Sequence, residues 1–442
     1  MSFLSFQPHF KKEVGPLLRL SGPIALGLYG QILIGVVDSL MIGQVGVVQL
    51  AASSVVNGIV GSTLGVFAGM AGSIGIYISE RRAHSQAFEE RGALIATGLL
   101  LFGSLALGAF SLLRVLSAHF EVLGQSPAVT EAARPYLNLV SLSLLPFSVF
   151  LVFRQLWEGL ERSKIPMLFI FGGIALNAVL NGFFIYGWFG FPAMGLEGAG
   201  WATLFTRGVM ALGMLLTIPQ VLAFSHLRPS KKWSRAILKL GIPAAAQVLF
   251  ETCAFMGAGI MMGWTSEKAL AAYQVTMNIA SLTFMGALGL SIGVSVRVAE
   301  AIGRGEHALV EARHRGRTGI QLVLYYMSIC AFVILCTSPF FPKFFVKDAE
   351  VQDLAMRLLW VAALFQLVDG LQVVTAFILR SWKDTVFPTL WIGTAYWVVS
   401  LPLGYGLVQM GVGPTGIFWG LAVGLALAGM GLVFRLYRTR RI

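Results

Sequence analysis

Residues 18–43 read LRLSGPIALGLYGQILIGVVDSLMIG, and beyond Arg19 the only charged side chain in the run is Asp38. A helix needs about 20 mainly apolar residues to cross the ~30 Å hydrocarbon core of a bilayer, so this stretch reads as a membrane span with a carboxylate inside it. A second run of the same kind, LKLGIPAAAQVLFETCAFMGAGIMMG, occupies residues 238–263 and carries Glu251. These two stretches set the frame for the rest of the chain.

Over all 442 residues the chain is 57% hydrophobic and 12% charged, against about 25% charged in an average soluble domain. That composition excludes a soluble protein. The 51 glycines suit helices that pack closely in lipid, where small residues let backbones approach. A net charge of +12 raises the possibility of a nucleic-acid partner, but such binding needs Lys and Arg gathered on one solvated patch. Here the basic residues form short clusters between apolar runs, and no nucleic acid is expected. Cys253, Cys330 and Cys336 all lie in apolar segments, so no disulfide framework is expected. Met1–Lys12 lacks the apolar region of a cleaved signal peptide, which leaves the first span as the insertion signal.

Apolar runs between charged or Pro/Gly breaks give twelve candidate spans, at about 15–42, 50–78, 93–115, 130–153, 166–188, 194–222, 237–262, 269–296, 317–340, 352–379, 386–409 and 414–435. Loops retained in the cytoplasm are enriched in Lys and Arg. With these spans, 25 of the 32 basic residues fall on one side and six on the other, with Arg207 inside a span. An even span number puts both termini on the basic side, the cytoplasm.

The two opening stretches belong to a longer repeat. A shift of 220 residues sets Pro23 over Pro243, Met41 and Gly43 over Met261 and Gly263, Leu50 over Leu270, and Glu80 over Glu300; a shift of 222 later pairs Val129 with Val351 and Pro166 with Pro388. The offset equals six spans, so the repeats share one orientation and imply a pseudo-two-fold axis along the membrane normal. The expected fold is therefore an all-α integral membrane protein of twelve transmembrane helices in two six-helix bundles. The N-terminal lobe is expected over 1–222, a cytoplasmic linker over 223–236 and the C-terminal lobe over 237–442.

Of the twenty acidic residues, three fall within spans: Asp38, Glu251 and Asp369. A carboxylate there costs at least a few kcal/mol and commonly marks an ion or proton pathway. Gln31 lies over Glu251 at the 220 offset, so this position is polar in both halves. Asn177 and Asn181, four residues apart, share a helix face and could join Thr203 in completing an oxygen shell for a hard cation. The same side chains also serve ordinary interhelical hydrogen bonding. All six histidines lie in or beside loops, and no phosphate-binding P-loop motif is present. Energy for transport would come from an ion gradient.

At this point the sequence resembles the multidrug and toxic compound extrusion (MATE) family in its NorM-like branch. The resemblance is carried by Val37-Asp38-Ser39-Leu40-Met41-Ile42-Gly43, Leu270-Ala271-Ala272-Tyr273-Gln274-Val275 with Asn278-Ile279, Gly187-Trp188-Phe189-Gly190-Phe191-Pro192, Gly198-Ala199-Gly200-Trp201-Ala202-Thr203, and Arg380-Ser381-Trp382-Lys383-Asp384-Thr385 ahead of Pro388. It implies export of cationic or amphipathic drug-like compounds in exchange for H⁺ or Na⁺, by alternating access, from a multi-pass protein of the bacterial inner membrane. It also implies an N-lobe cation or proton site at Asp38, Asn177, Asn181 and Thr203, and NorM-branch acids at Glu251 and Asp369. Na⁺ could sit at Glu251 and Asp369, or at Asp38, Asn177 and Asn181. Tyr273 stands where the family often has His, and Ser381 where it usually has Gly. A substrate cavity is expected to draw on Tyr29, Gln31, Phe255, Met256, Tyr273, Gln274 and Phe284. No cofactor is expected, and the partners are small organic, often cationic, drug-like substrates and the lipid bilayer, with the protein monomeric. The alternatives are a lipid-linked saccharide flippase, which would want a large basic cavity, and a polytopic membrane enzyme, which would want a catalytic cluster at the interface.

Overall fold

In the computed structural model of the protein, residues 8–83, 87–218, 227–439 and 441–442 are described. Residues 223–226 of the expected linker, residues 1–7 of the segment read for a signal peptide, His84, His226 and Arg440 lie outside the described residues, as do the side chains of His9 and His307.

Twelve helical segments among the described residues are long and apolar enough to cross a membrane, and none of the described residues forms a strand. The helices are α1 (Pro8–Gly43), α2 (Val47–Glu80), α3 (Ala87–Ala118), α4 (Pro127–Leu142), α5 (Leu144–Gly159), α6 (Lys164–Tyr186), α7 (Gly195–Leu216), α8 (Lys231–Thr265), α9 (Glu267–Gly303), α10 (Leu309–Thr337), α11 (Phe341–Phe345), α12 (Ala349–Ser381), α13 (Val386–Thr394), α14 (Leu401–Leu407) and α15 (Thr415–Arg438). The expected fourth span is two helices, α4 and α5, that meet at Ser143, whereas its repeat partner α12 is unbroken. The eleventh span runs from α13 through a π-helical stretch at Ala395–Ser400, α14 and a second π-helical stretch at Val408–Val412.

The chain divides into two compact units, Leu26–Gly241 and Met1–Ala25 with Ile242–Ile442. This division differs from the boundaries read from the sequence, because the first half of α1 packs in the second unit. Small residues and an ion pair account for the difference. A Cβ on Gly289 would lie 2.6 Å from the Ala25 Cα, and one on Gly293 would lie 2.8 Å from the Ser21 Cβ, so α1 and α9 touch backbone to backbone. Near the start of α1, Glu13 accepts two hydrogen bonds from Arg297 at 2.7 and 2.8 Å.

Local contacts repeat between the units as the sequence register does. A Cβ on Gly43 would meet Leu50 Cδ2 at 3.7 Å, and a Cβ on Gly263 would meet Leu270 Cδ2 at the same 3.7 Å. Ser126 caps α4 by accepting from the Val129 N–H at 3.4 Å, and 222 residues later Asp348 caps α12 by accepting from the Val351 N–H at 3.4 Å. A side-chain oxygen at the cap position satisfies an N–H that the helix leaves unpaired.

Candidate functional site

In the Leu26–Gly241 unit, α1 approaches α6 at glycines: a Cβ on Gly27 or Gly30 would lie 3.1 or 2.8 Å from Ile170. About two turns beyond Gly30 on α1 and about three beyond Ile170 on α6, Asp38 meets Asn181. The Asn181 Nδ2 donates to Asp38 Oδ1 at 2.6 Å and to Asn177 Oδ1 at 3.3 Å, which is the bond that the four-residue spacing allows. Asp38, Asn177, Asn181 and Thr203 are all buried. Among the described residues, Asn177 Nδ2, Asn181 Oδ1 and the hydroxyls of Thr203 and Thr206 find no partner, so the group has polar capacity beyond its own internal bonds.

Asp38, Asn177 and Thr203 line a cavity of about 510 Å³, together with Gln31, Asn57 and Tyr136. Asn181 stands behind this wall. Two arginines also face the cavity. Arg207 donates to Ser143 Oγ at 2.7 Å and lies over the Phe147 ring at 5.1 Å. Arg154 donates to Glu158 at 2.6 Å, both side chains being buried. The fourth span read from the sequence stops at 153, which counts Arg154 with the basic residues of the cytoplasmic side, and the structure brings its side chain to the cavity wall. α5 continues through Gly159, and Glu158, one turn beyond Arg154, neutralises it within the helix. Charge pairing at a four-residue spacing was the available signal.

The second unit holds a cavity of about 700 Å³ in which five of the expected substrate residues meet: Phe255, Met256, Tyr273, Gln274 and Phe284. Glu251 and Asp369 line the same space, and among the described residues no basic side chain does. Glu251 Oε1 accepts from Gln247 Nε2 at 3.1 Å and from Gln372 Nε2 at 2.9 Å. Tyr396 in turn donates its hydroxyl to Gln372 Oε1 at 3.1 Å; it comes from the π-helical stretch, the kind of local widening often found at functional sites. Among the described residues Asp369 makes no hydrogen bond or ion pair. Tyr273 donates to the Phe255 carbonyl at 2.6 Å, so it holds α9 to α8. Ser381 is bonded to Ser295 at 2.9 Å and lies outside the cavity.

The structure thus gathers the expected residues into two cavities, one per unit, except Asn181, which reaches the first only through Asp38 and Asn177, and Tyr29. Tyr29 is not among the lining residues of either. At 100° per residue it sits about 200° around α1 from Gln31 and about 180° from Asp38, on the opposite face.

Twelve apolar spanning helices, a buried carboxylate held by amides and a polar-and-apolar cavity within each unit describe a helical membrane transporter. The family model described as MatE matches residues 23–183 and again 243–406, two matches that begin 220 residues apart. The chain belongs to the MATE family. It is 35% identical to a "Probable multidrug resistance protein NorM" of Mesorhizobium japonicum over 72% of this chain and 71% of that one. It is 30% identical to the Xylella fastidiosa protein of the same description over 96% and 92%. Among solved structures, a Vibrio cholerae MATE transporter superposes with a TM-score of 0.88 at 18% identity, covering 98% of each chain. A eukaryotic MATE transporter gives 0.86 at 17% identity over 97% of this chain and 96% of that one.

Proposed function

We propose that this transporter exports cationic, amphipathic drug-like molecules across the bacterial inner membrane in exchange for inward H⁺ or Na⁺, with both termini cytoplasmic and the cavities exposed alternately to the two faces. The observation that carries the reading is the contrast in charge between the cavities. Two carboxylates and no basic group line the larger one, among the aromatic and methionine side chains of Phe255, Met256, Met277 and Phe284. Aromatic faces attract cations, and flexible Met-rich walls repack around varied ligands. This cavity suits the organic cation, and the NorM-named relatives are described as multidrug resistance proteins.

Asp38 suits the coupling ion. Its partner Asn181 and the neighbouring Thr203 keep unpartnered oxygens, which a hard cation requires, and the carboxylate itself can take a proton. At Glu251 the surroundings supply N–H donors instead, since the Gln372 oxygen is already taken by Tyr396; Na⁺ at Glu251 and Asp369 is therefore the less favoured position. An ion drives exchange only if its affinity differs between the two exposed states, and filling or emptying Asp38 supplies that difference.

The test is uptake into proteoliposomes with Na⁺ and H⁺ gradients imposed separately. One gradient should drive accumulation of a cationic dye in the wild type, and Asp38→Asn should abolish the gradient's effect. Gradient-driven transport unchanged in Asp38→Asn would overturn the coupling role.

A further inference from the structure

One exposed face of α12 changes chemistry in regular steps. Asp353, Arg357, Trp360 and Leu364 follow one another at intervals of four, three and four residues, so they share a helix face, and all four are exposed. With Trp419 on α15 they line a groove of about 620 Å³. Asp353 and Arg357 pair at 2.9 Å, with half or more of each side chain exposed, which leaves one carboxylate oxygen and most of the guanidinium N–H groups open to a ligand. Trp360 Nε1 donates to Ser338 Oγ, just past α10, at 2.9 Å, and that bond fixes its ring as a wall. Eight residues after Trp360 and ten after Trp419 the two helices close on each other, where a Cβ on Gly429 would lie 3.4 Å from the Val368 carbonyl oxygen. The groove is therefore open towards the starts of α12 and α15 and shut further in.

The same face falls at a membrane boundary. Residues 358–379, whose one charge is Asp369, are flanked by Arg357 and Arg380 and make about 33 Å of helix at 1.5 Å per residue, close to the ~30 Å hydrocarbon core of a bilayer. Arg357 thus stands at headgroup level with Asp353 one turn further out, Trp360 in the zone where Trp gathers at membrane interfaces, and Leu364 among acyl chains. We propose that this groove binds one zwitterionic phospholipid whose headgroup ends in a primary ammonium, with the phosphate on Arg357, the ammonium on Asp353, the glycerol region between the two indoles and an acyl chain along Leu364. Acid, base, aromatic and aliphatic side chains follow in the order of the lipid's own groups from water to hydrocarbon. Arg N–H groups match phosphate oxygens in charge-assisted bonds, and Asp353 needs an N–H donor that a trimethylammonium lacks. The first unit does not repeat the stripe, since at the 222 offset Pro135 stands at Arg357 and Asn138 at Trp360. The site depends on the chain crossing a bilayer and not on what is transported; with the termini cytoplasmic, as proposed above, the lipid belongs to the outer leaflet.

The experiment is titration of the delipidated full-length protein in detergent with dioleoyl phosphatidylethanolamine, phosphatidylcholine and phosphatidylglycerol, read by native mass spectrometry. The three lipids share their chains and phosphate, so differences report the end of the headgroup. The first phosphatidylethanolamine should bind about threefold or more tightly than either of the others, the size that an exposed charge pair supplies. Asp353→Asn should bring it level with phosphatidylcholine while leaving phosphatidylcholine itself unchanged. Arg357→Gln should weaken all three lipids by about fivefold or more, and Arg357→Lys, which keeps the charge and loses the fork, should recover part of that loss. Trp419→Leu, which leaves every charge in place, should weaken all three without altering their order, and it serves if a charge variant does not fold. Equal binding of the three lipids by the wild type, tighter binding of phosphatidylglycerol, or an ethanolamine preference that survives in Asp353→Asn would overturn the proposal.

Discussion

The two units share a frame and differ in what they do with it. Gly43 on Leu50 and Gly263 on Leu270 make the same contact at the same distance, and Ser126 and Asp348 cap equivalent helices. The polar sites do not follow that register. Asp38 lies over Ala258, while Glu251 lies over Gln31; one unit closes its acid with asparagines from α6, the other with glutamines from α8 and α12. One cavity mixes Asp38 with two arginines, and the other holds two acids alone. Packing positions are constrained by backbone approach and stay paired across the repeat, whereas sites move a turn or more because any residue facing the cavity can carry the chemistry.

The units should differ most when one buried arginine is removed from each. Arg154→Met leaves Glu158 charged, buried and unpaired, which costs about 3–5 kcal/mol. Arg380, at the position that matches Glu158 by the 222 offset, packs over Phe377 at 4.5 Å and forms no ion pair among the described residues, so Arg380→Met should cost less. Thermal unfolding of the purified variants orders the two, and equal losses would remove the distinction.

A smaller effect is expected from the amides. Gln372→Leu removes one of two donors to Glu251 and leaves the Tyr396 hydroxyl without its acceptor, a loss of about 1–3 kcal/mol for an orphaned buried group. It should weaken cation binding, while Asn181→Leu should leave cation binding in place and impair the gradient's effect on transport. Dye binding and dye uptake measured on the same preparations separate the two outcomes.

The caps offer a pH-dependent contrast. Backbone N–H groups of Glu350 and Val351, and Lys268 nearby, hold the Asp348 carboxyl below its ordinary value. A depressed carboxyl stabilises the fold above its unfolded pKa, about 3.9, and loses that contribution as pH falls through the folded value. Asp348→Ser should therefore flatten the acid limb of the stability profile slightly and leave neutral stability nearly unchanged. Smallest of all, Gly43→Ala and Gly263→Ala both place a methyl at ordinary contact distance and should each shift stability by less than about 1 kcal/mol, by similar amounts.

The spans, the repeat and the three intramembrane acids were legible because charge is so rare in this chain that each exception stands out. The partners of those acids were less so. Gln247 lies one turn before Glu251 and could have been read from spacing, but Gln372 and Tyr396 come from other helices and are joined to Glu251 only by the fold. Tyr29 lines neither cavity, and in a helix apolar on every side hydrophobic periodicity does not tell one face from another. The place of Arg154 at the cavity wall was hidden because it falls one residue past the end of the apolar run, and only its four-residue spacing from Glu158 hints at burial.

The division of labour between the cavities is tested most directly by equilibrium binding of tetraphenylphosphonium to nanodisc-held Asp38→Asn and to Glu251→Gln/Asp369→Asn. Affinity should stay close to wild type in the first and fall by more than about tenfold, equivalent to about 1.4 kcal/mol, in the second. Binding lost in Asp38→Asn and retained without the two second-unit acids would contradict it.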